Sequence, residues 1–253
     1  MQRILLIVRY DGTAYHGWQV QPNGVTVQQT LQDAIEAVTG VRSGVIGCSR
    51  TDAGVHADMF CCTFDTESAL RGNKLCSALN FHLPHDIAVY DAREVAEDFH
   101  PRYGAAGKRY IYRIWNGTQR HPVYAPYSLH RNAPLDVELM NRAAADFVGR
   151  HDFAAFCGAG SDVQGTTQRT IRACRVERQG DMVLFTVEGD GFLYNMVRIM
   201  VGTLLEIAAG RMAADAIPAI LAGGDRGMAG PTAPAHGLCL DYVFYNDEGG
   251  DAE

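Results

Sequence analysis

TVQQTLQDAIEAVTG, residues 26–40, places apolar side chains at Val27, Leu31, Ile35 and Val38, the spacing of a helix with one buried face. Thr26 is positioned to cap its first turn and Gly40 to stop it. Upstream, RILLIVRY (residues 3–10) predicts a strand that ends at the turn Asp11-Gly12. Downstream, Val45 to Cys48 and Met59 to Phe64 are short apolar runs that predict two strands. Residues 67–81 then suit a helix and 86–94 a strand. Strand, helix, strand, strand, helix, strand is the order of a split βαβ unit.

A similar pass follows. Lys108 to Ile114 alternates like a strand, and Asp136 to Val148 carries Leu139, Met140, Ala143, Ala144 and Phe147 on one helical face. Residues 170–178 and 182–188 predict a hairpin turning at Gln179-Gly180-Asp181. Tyr194 to Ala209 is a strongly apolar helix, with another near Ala213 to Leu221 and a last strand from Leu238 to Phe244. The expected class is α+β: two ferredoxin-like lobes, 1–105 and 106–253, sharing a mixed, mainly antiparallel sheet flanked by helices. The last eight residues, Asn246 to Glu253, are acidic and expected to fray.

Composition narrows the function classes. Of 253 residues 47% are hydrophobic and 20% charged, ordinary values for a globular chain. No apolar run approaches the roughly 18 residues of a membrane span. The N-terminal MQRILLIV lacks a cleavage site and is expected to be a strand rather than a signal peptide. Seven scattered cysteines without Cys-x-x-Cys spacing, and nine dispersed histidines, argue for reduced thiols in a cytoplasmic protein and against a metal centre. The absence of a phosphate-binding Gly-x-x-x-x-Gly-Lys-Ser/Thr loop argues against a nucleotide cofactor. A net charge of −7 speaks against nucleic acid, but the 22 basic residues include only two lysines, Lys74 and Lys108. The arginines cluster at 102–120 and 169–178, so a focal basic cleft on an acidic body is open.

Three stretches are candidates for chemistry. GCSRTDAGVHA (47–57) joins two predicted strands and presents Arg50 and Asp52 two residues apart. A tight turn with Gly54 at positive φ fits this spacing, as does a carboxylate poised as nucleophile or base, and turns are the commoner case. Tyr110 and Tyr112 share one face of their strand, suited either to stacking on bases or to packing on a helix. Arg198 stands alone on an otherwise apolar helix, which costs several kcal/mol unless a carboxylate pairs with it or it snorkels to solvent. Asp52 is an attractive partner.

Arg50-Thr51-Asp52-Ala53-Gly54-Val55-His56-Ala57 occurs here together with Tyr10-Asp11-Gly12, Gly17-Trp18-Gln19, Phe99-His100-Pro101-Arg102, Lys108-Arg109-Tyr110-x-Tyr112, His151-Asp152-Phe153 and Met196-Val197-Arg198-x-x-Val201-Gly202. In that order and spacing, from about residue 3 to 244, the chain resembles the TruA family of tRNA pseudouridine synthases. The resemblance implies the pseudouridine synthase fold and a homodimer that uses neither cofactor nor metal. The reaction implied is isomerisation of uridine to pseudouridine at tRNA positions 38, 39 and 40 in the anticodon stem and loop. It implies Asp52 as the essential carboxylate, Tyr110 as the ring stacked on the target base, and Arg198 as the partner of the aspartate. Arg50 would fill the gap left by a flipped nucleotide, and Leu238 and Leu240 would line the uracil pocket. One departure is Ser49, where many members have glycine; the loop is expected to persist provided its φ is negative.

Two other classes compete. An RNA-binding module that has lost its chemistry would have little reason to keep Asp52, Tyr110 and Arg198 together. A carboxylate glycosidase needs a second acid flanking the sugar, and none stands out.

Overall fold

Ile4-Leu5-Leu6-Ile7-Val8 is buried without a break, so the strand it forms, β1 (Gln2–Tyr10), is covered on both faces. The computed structural model describes residues 1–160 and 165–246, so the expected fraying from residue 247 onward lies outside the described residues. The chain divides into two compact units, Met1–Ala106 with the segment from Leu240 onward, and Gly107–Cys239.

In the first unit the helix that the 26–40 spacing predicts is α1 (Val27–Thr39). The Thr26 hydroxyl accepts from the Gln29 N–H, and Gly40, at φ 74°, ends it. Then come β2 (Ile46–Gly47), β3 (His56–Thr66), α2 (Gly72–His82) and β4 (Ile87–Val95). β1 pairs antiparallel with both β3 and β4, and β2 adds to β3. α2 begins five residues later than the pattern suggests. The Thr66 hydroxyl accepts from the Ser68 N–H and the Ser68 hydroxyl from the Leu70 N–H, bonds that compete with a helical turn.

The second unit holds β5 (Ala105–Trp115), β6 (Leu129–His130), α3 (Val137–Ala144), β7 (Gly149–Asp152), β8 (Gln168–Gln179), β9 (Met182–Gly189), α4 (Met196–Ala208) and α5 (Ala216–Gly223). Its strand order is β5-β9-β8-β7, antiparallel throughout, with β6 parallel to β5. The Asn141 side-chain oxygen Oδ1 accepts from the Val176 N–H at 2.9 Å and ties α3 to β8. α3 stops short of the predicted end because Ala145–Phe147 tightens into a 3-10 turn. β7 has no apolar alternation, which is why an edge strand there is invisible to pattern reading. The last strand, β10 (Leu238–Tyr245), lies beside β3 in the first unit. Among the described residues no helix is long and apolar enough to cross a membrane.

α4 is buried at ten of its thirteen positions, which leaves no polar face and demands cover from every side. Part of that cover is backbone. A Cβ on Gly202 would meet the Pro231 carbonyl oxygen at 1.7 Å, and one on Gly230 would meet the Thr203 nitrogen at 2.5 Å. The crossing is pinned by Thr203, whose hydroxyl donates to the Ile199 carbonyl and accepts from the Gly230 N–H, both at 2.9 Å.

Because the methyl of Gly202→Ala has nowhere to go but into backbone, the gain in helix propensity is overridden. The variant is expected to lose about 2 kcal/mol of stability. Thermal denaturation should show a Tm lower by roughly 4 to 8 °C, and an unchanged Tm would show that the 230–231 segment yields freely.

Candidate active site

Residues 48–55 connect β2 to β3 and are held almost entirely by backbone. The Cys48 N–H donates to the Cys61 carbonyl (2.8 Å), the Trp18 N–H to Thr51 (3.1 Å) and the Gly54 N–H to Tyr15 (3.3 Å). The buried Thr51 hydroxyl and the Tyr10 phenol share a hydrogen bond of 2.8 Å. Two glycines let the neighbouring chain lie directly on this loop. A Cβ on Gly12 would sit 2.0 Å from the Val55 oxygen, and one on Gly17, at φ 85°, would sit 2.6 Å from the Thr51 oxygen.

Within that clamp the Asp52 carbonyl accepts from the Val55 N–H at 3.1 Å, with Gly54 at φ 77°. This is the glycine turn that the spacing suggests, closed by backbone. Asp52 is half-buried, Arg50 is exposed, and Ser49 between strand and turn is half-buried. Among the described residues Asn195 is the one non-glycine with positive φ, so Ser49 occupies backbone that serine adopts without strain. His56 is buried, its Nδ1 3.1 Å from the Gly12 nitrogen and 3.1 Å from the Asp11 carboxylate.

Tyr110 and Tyr112 are both buried in the second unit. Tyr112 is fully buried and its hydroxyl donates to the Pro234 carbonyl at 2.8 Å, the behaviour of a core residue. Burial pushes its phenol pKa up, with Arg198 and Arg131 opposing. Tyr110, two residues earlier, meets the edge of Phe192 at 5.1 Å between ring centroids. Arg198 is half-buried near the start of α4, where its Nε donates to the Ala233 carbonyl (2.7 Å) and Nη1 to the Asn195 side-chain oxygen (2.8 Å). In return the Ala233 N–H donates to the Arg198 carbonyl at 3.1 Å.

Leu238 and Leu240 are both buried on β10. Burial also pushes the thiols of Cys61 and Cys62 up, which leaves them as packed small hydrophobes rather than nucleophiles. Pattern reading passes over three supports of this arrangement: Tyr10 on Thr51, Phe192 against Tyr110, and Asn195 beneath Arg198. Of these Asn195 alone leaves a sequence signal, an asparagine directly before an apolar helix, where left-handed backbone is best tolerated.

A family model described as tRNA pseudouridine synthase matches residues 6–104 and 143–246. The tRNA pseudouridine synthase A of Acetivibrio thermocellus is 48% identical over 245 residues, 97% of this chain and 100% of that one. Those of Clostridium kluyveri and Geotalea daltonii are each 46% identical over the same spans. Among solved structures, an archaeal box H/ACA ribonucleoprotein complex aligns over 96% of this chain and 50% of that one, at 13% identity and a TM-score of 0.38. On the family match and the full-length relatives, the chain belongs to the tRNA pseudouridine synthase family, whose members are isomerases.

Proposed function

We propose that this chain converts uridine to pseudouridine at positions 38, 39 and 40 in the anticodon stem and loop of tRNA, acting as a cytoplasmic homodimer without cofactor. The observation that carries the reading is the clamped loop. Asp52 sits on backbone fixed by two glycine contacts and three backbone hydrogen bonds, in a chain of this family. A group that must meet one atom of a sugar needs that kind of immobility.

The reaction is an isomerisation, so every atom is retained. The N1–C1′ bond breaks with its electron pair leaving on uracil, the base turns, C5 bonds to C1′, and the C5 proton is lost while N1 gains one. In this reading the ionised Asp52 carboxylate starts the sequence, either by attacking C1′ or by removing the 2′ proton to form a glycal. Both routes use the same ionised carboxylate. Arg198 supplies the positive charge that keeps the carboxylate ionised. Tyr110 stacks on the uracil and assists loss of the C5 proton. Arg50 holds the space vacated by the flipped nucleotide, and Leu238 and Leu240 give the base an apolar wall. The net charge of −7 is reconciled with tRNA by arginines that both protomers contribute.

Incubation with unmodified tRNA transcript, followed by carbodiimide labelling and primer extension, tests the reading directly. Stops are expected in the anticodon arm with the wild-type chain. Asp52→Ala is expected to lower the single-turnover rate by at least about 100-fold while binding tRNA as tightly as before. Modification at an undiminished rate in Asp52→Ala would remove this carboxylate from the mechanism.

Arg198→Met keeps an unbranched apolar stem and removes the guanidinium with its charge. It is expected to abolish turnover and, by losing the bonds to Ala233 and Asn195, to cost about 3 kcal/mol of stability without unfolding the chain. Circular dichroism beside the activity assay separates the two effects. A variant that fails to fold would recast Arg198 as a structural ion.

A further inference from the structure

The first unit contains a cleft of ≈ 220 Å³ beside the Asp52 loop whose rim is built from Arg50, His100, Arg102 and Tyr103 over a floor of Trp18. That volume is below the roughly 300 Å³ at which pockets for drug-sized ligands begin, so its scale suits one nucleotide rather than a length of strand. Its floor is rigid, for the Trp18 ring lies stacked on Phe60 at 4.0 Å and is buried. Its walls are tied by one side chain: the Gln28 amide accepts from the Val20 N–H and donates to the Val45 carbonyl, both at 2.8 Å.

The rim is unusual in three respects. Tyr103 leaves 79% of its surface open to solvent, yet it is not loose. The His100 Nδ1 accepts from the backbone N–H of both Arg102 (3.1 Å) and Tyr103 (3.3 Å), the Gly104 N–H donates to the His100 carbonyl, and the two rings lie 4.4 Å apart. Because Nδ1 accepts, the neutral His100 ring carries its proton on Nε2 as a donor. Arg102 extends over the Tyr103 ring, 6.0 Å from its centroid. Finally, no carboxylate lines the cleft, and among the described residues neither Arg50 nor Arg102 has an acidic partner within ion-pair distance.

An immobilised, exposed aromatic ring that shares its cleft with unneutralised guanidiniums is the chemistry that holds an unpaired nucleotide, the base on the ring and the phosphate on an arginine. We infer that this cleft is a binding slot for one unpaired nucleotide of the RNA substrate, with Tyr103 as stacking platform and Arg102 as phosphate clamp. The inference rests on the proposed action on tRNA and adds to it the residues 100–103, which position the RNA and take no part in bond making.

Binding of an unmodified tRNA transcript to Tyr103→Ala, Tyr103→Phe and Arg102→Ala tests it, with 2-aminopurine placed in turn at each unpaired position of the anticodon loop. Tyr103→Ala is expected to bind about tenfold more weakly and to lose the 2-aminopurine quenching that the wild type shows at one position. Tyr103→Phe, which keeps the ring, should restore both. Arg102→Ala should reduce the slope of log K against log salt by about 1. Affinity within twofold of wild type and unaltered quenching in Tyr103→Ala would overturn the slot while leaving pseudouridine formation intact. A wild-type chain that binds through Tyr103 but forms no pseudouridine would uphold the slot and defeat the reaction.

Discussion

Backbone pressed directly on backbone is the constraint from which the candidate functional residues take their positions. Gly12 against Val55 and Gly17 against Thr51 set the loop of Asp52, while Gly202 against Pro231 and Gly230 against Thr203 set the segment that receives Arg198. Such a contact needs no side chain and cannot relax by a rotamer change, so it fixes a position more tightly than packed leucines do. Its cost is conformational: each glycine gives up more freedom on folding than any other residue would. The hydrogen bonds beside each crossing, Trp18 to Thr51 and Gly230 to Thr203, offset part of that cost.

Arg198 shows how the second unit accommodates a cation in an apolar helix. Its bonds to the Ala233 carbonyl and the Asn195 amide oxygen each involve a charged donor and are worth about 1.5 to 3 kcal/mol. Asn195 adopts left-handed backbone at φ 59°, which costs about 1 to 2 kcal/mol for a residue with a Cβ. The bonds outweigh the strain. The helix therefore begins at a strained asparagine because the arginine three residues on has use for its oxygen. Half-burial also lets the guanidinium keep part of its hydration.

Where one physical signal dominated, the sequence was legible. α1 follows from its apolar spacing, its Thr26 cap and its Gly40 stop, and α4 from hydrophobicity alone. Competing local bonds hid the start of α2, where Thr66 and Ser68 capture backbone N–H groups, and edge pairing without alternation hid β7. The turn at Gly54 could be read from composition, but the reason for its rigidity could not. That reason lies in Gly12 and Gly17, about forty residues upstream, and only the fold brings them to the loop. Tyr110 and Tyr112 were indistinguishable by alternation, and both are buried; the fold gives them different neighbours, Phe192 against the Tyr110 ring and the Pro234 carbonyl on the Tyr112 hydroxyl.

Charge remains the feature least suited to an RNA-modifying chain, and the ion pairs show why the net value misleads. Arg3, Arg42 and Arg211 each lie within 2.8 Å of a carboxylate oxygen, and Arg3 and Arg211 hold Asp65 and Glu206 below the usual carboxylate range. Exposed pairs of this kind contribute under about 1 kcal/mol to stability, but they cancel their own fields within a few ångströms. Beyond a Debye length of about 8 Å they add nothing to the attraction of a phosphate. What a polyanion meets is then a chain of net charge −7 with a cleft in which no carboxylate neutralises Arg50 or Arg102. Repulsion elsewhere makes such a cleft more selective than a basic surface would be, because a phosphate out of register is penalised rather than merely unrewarded.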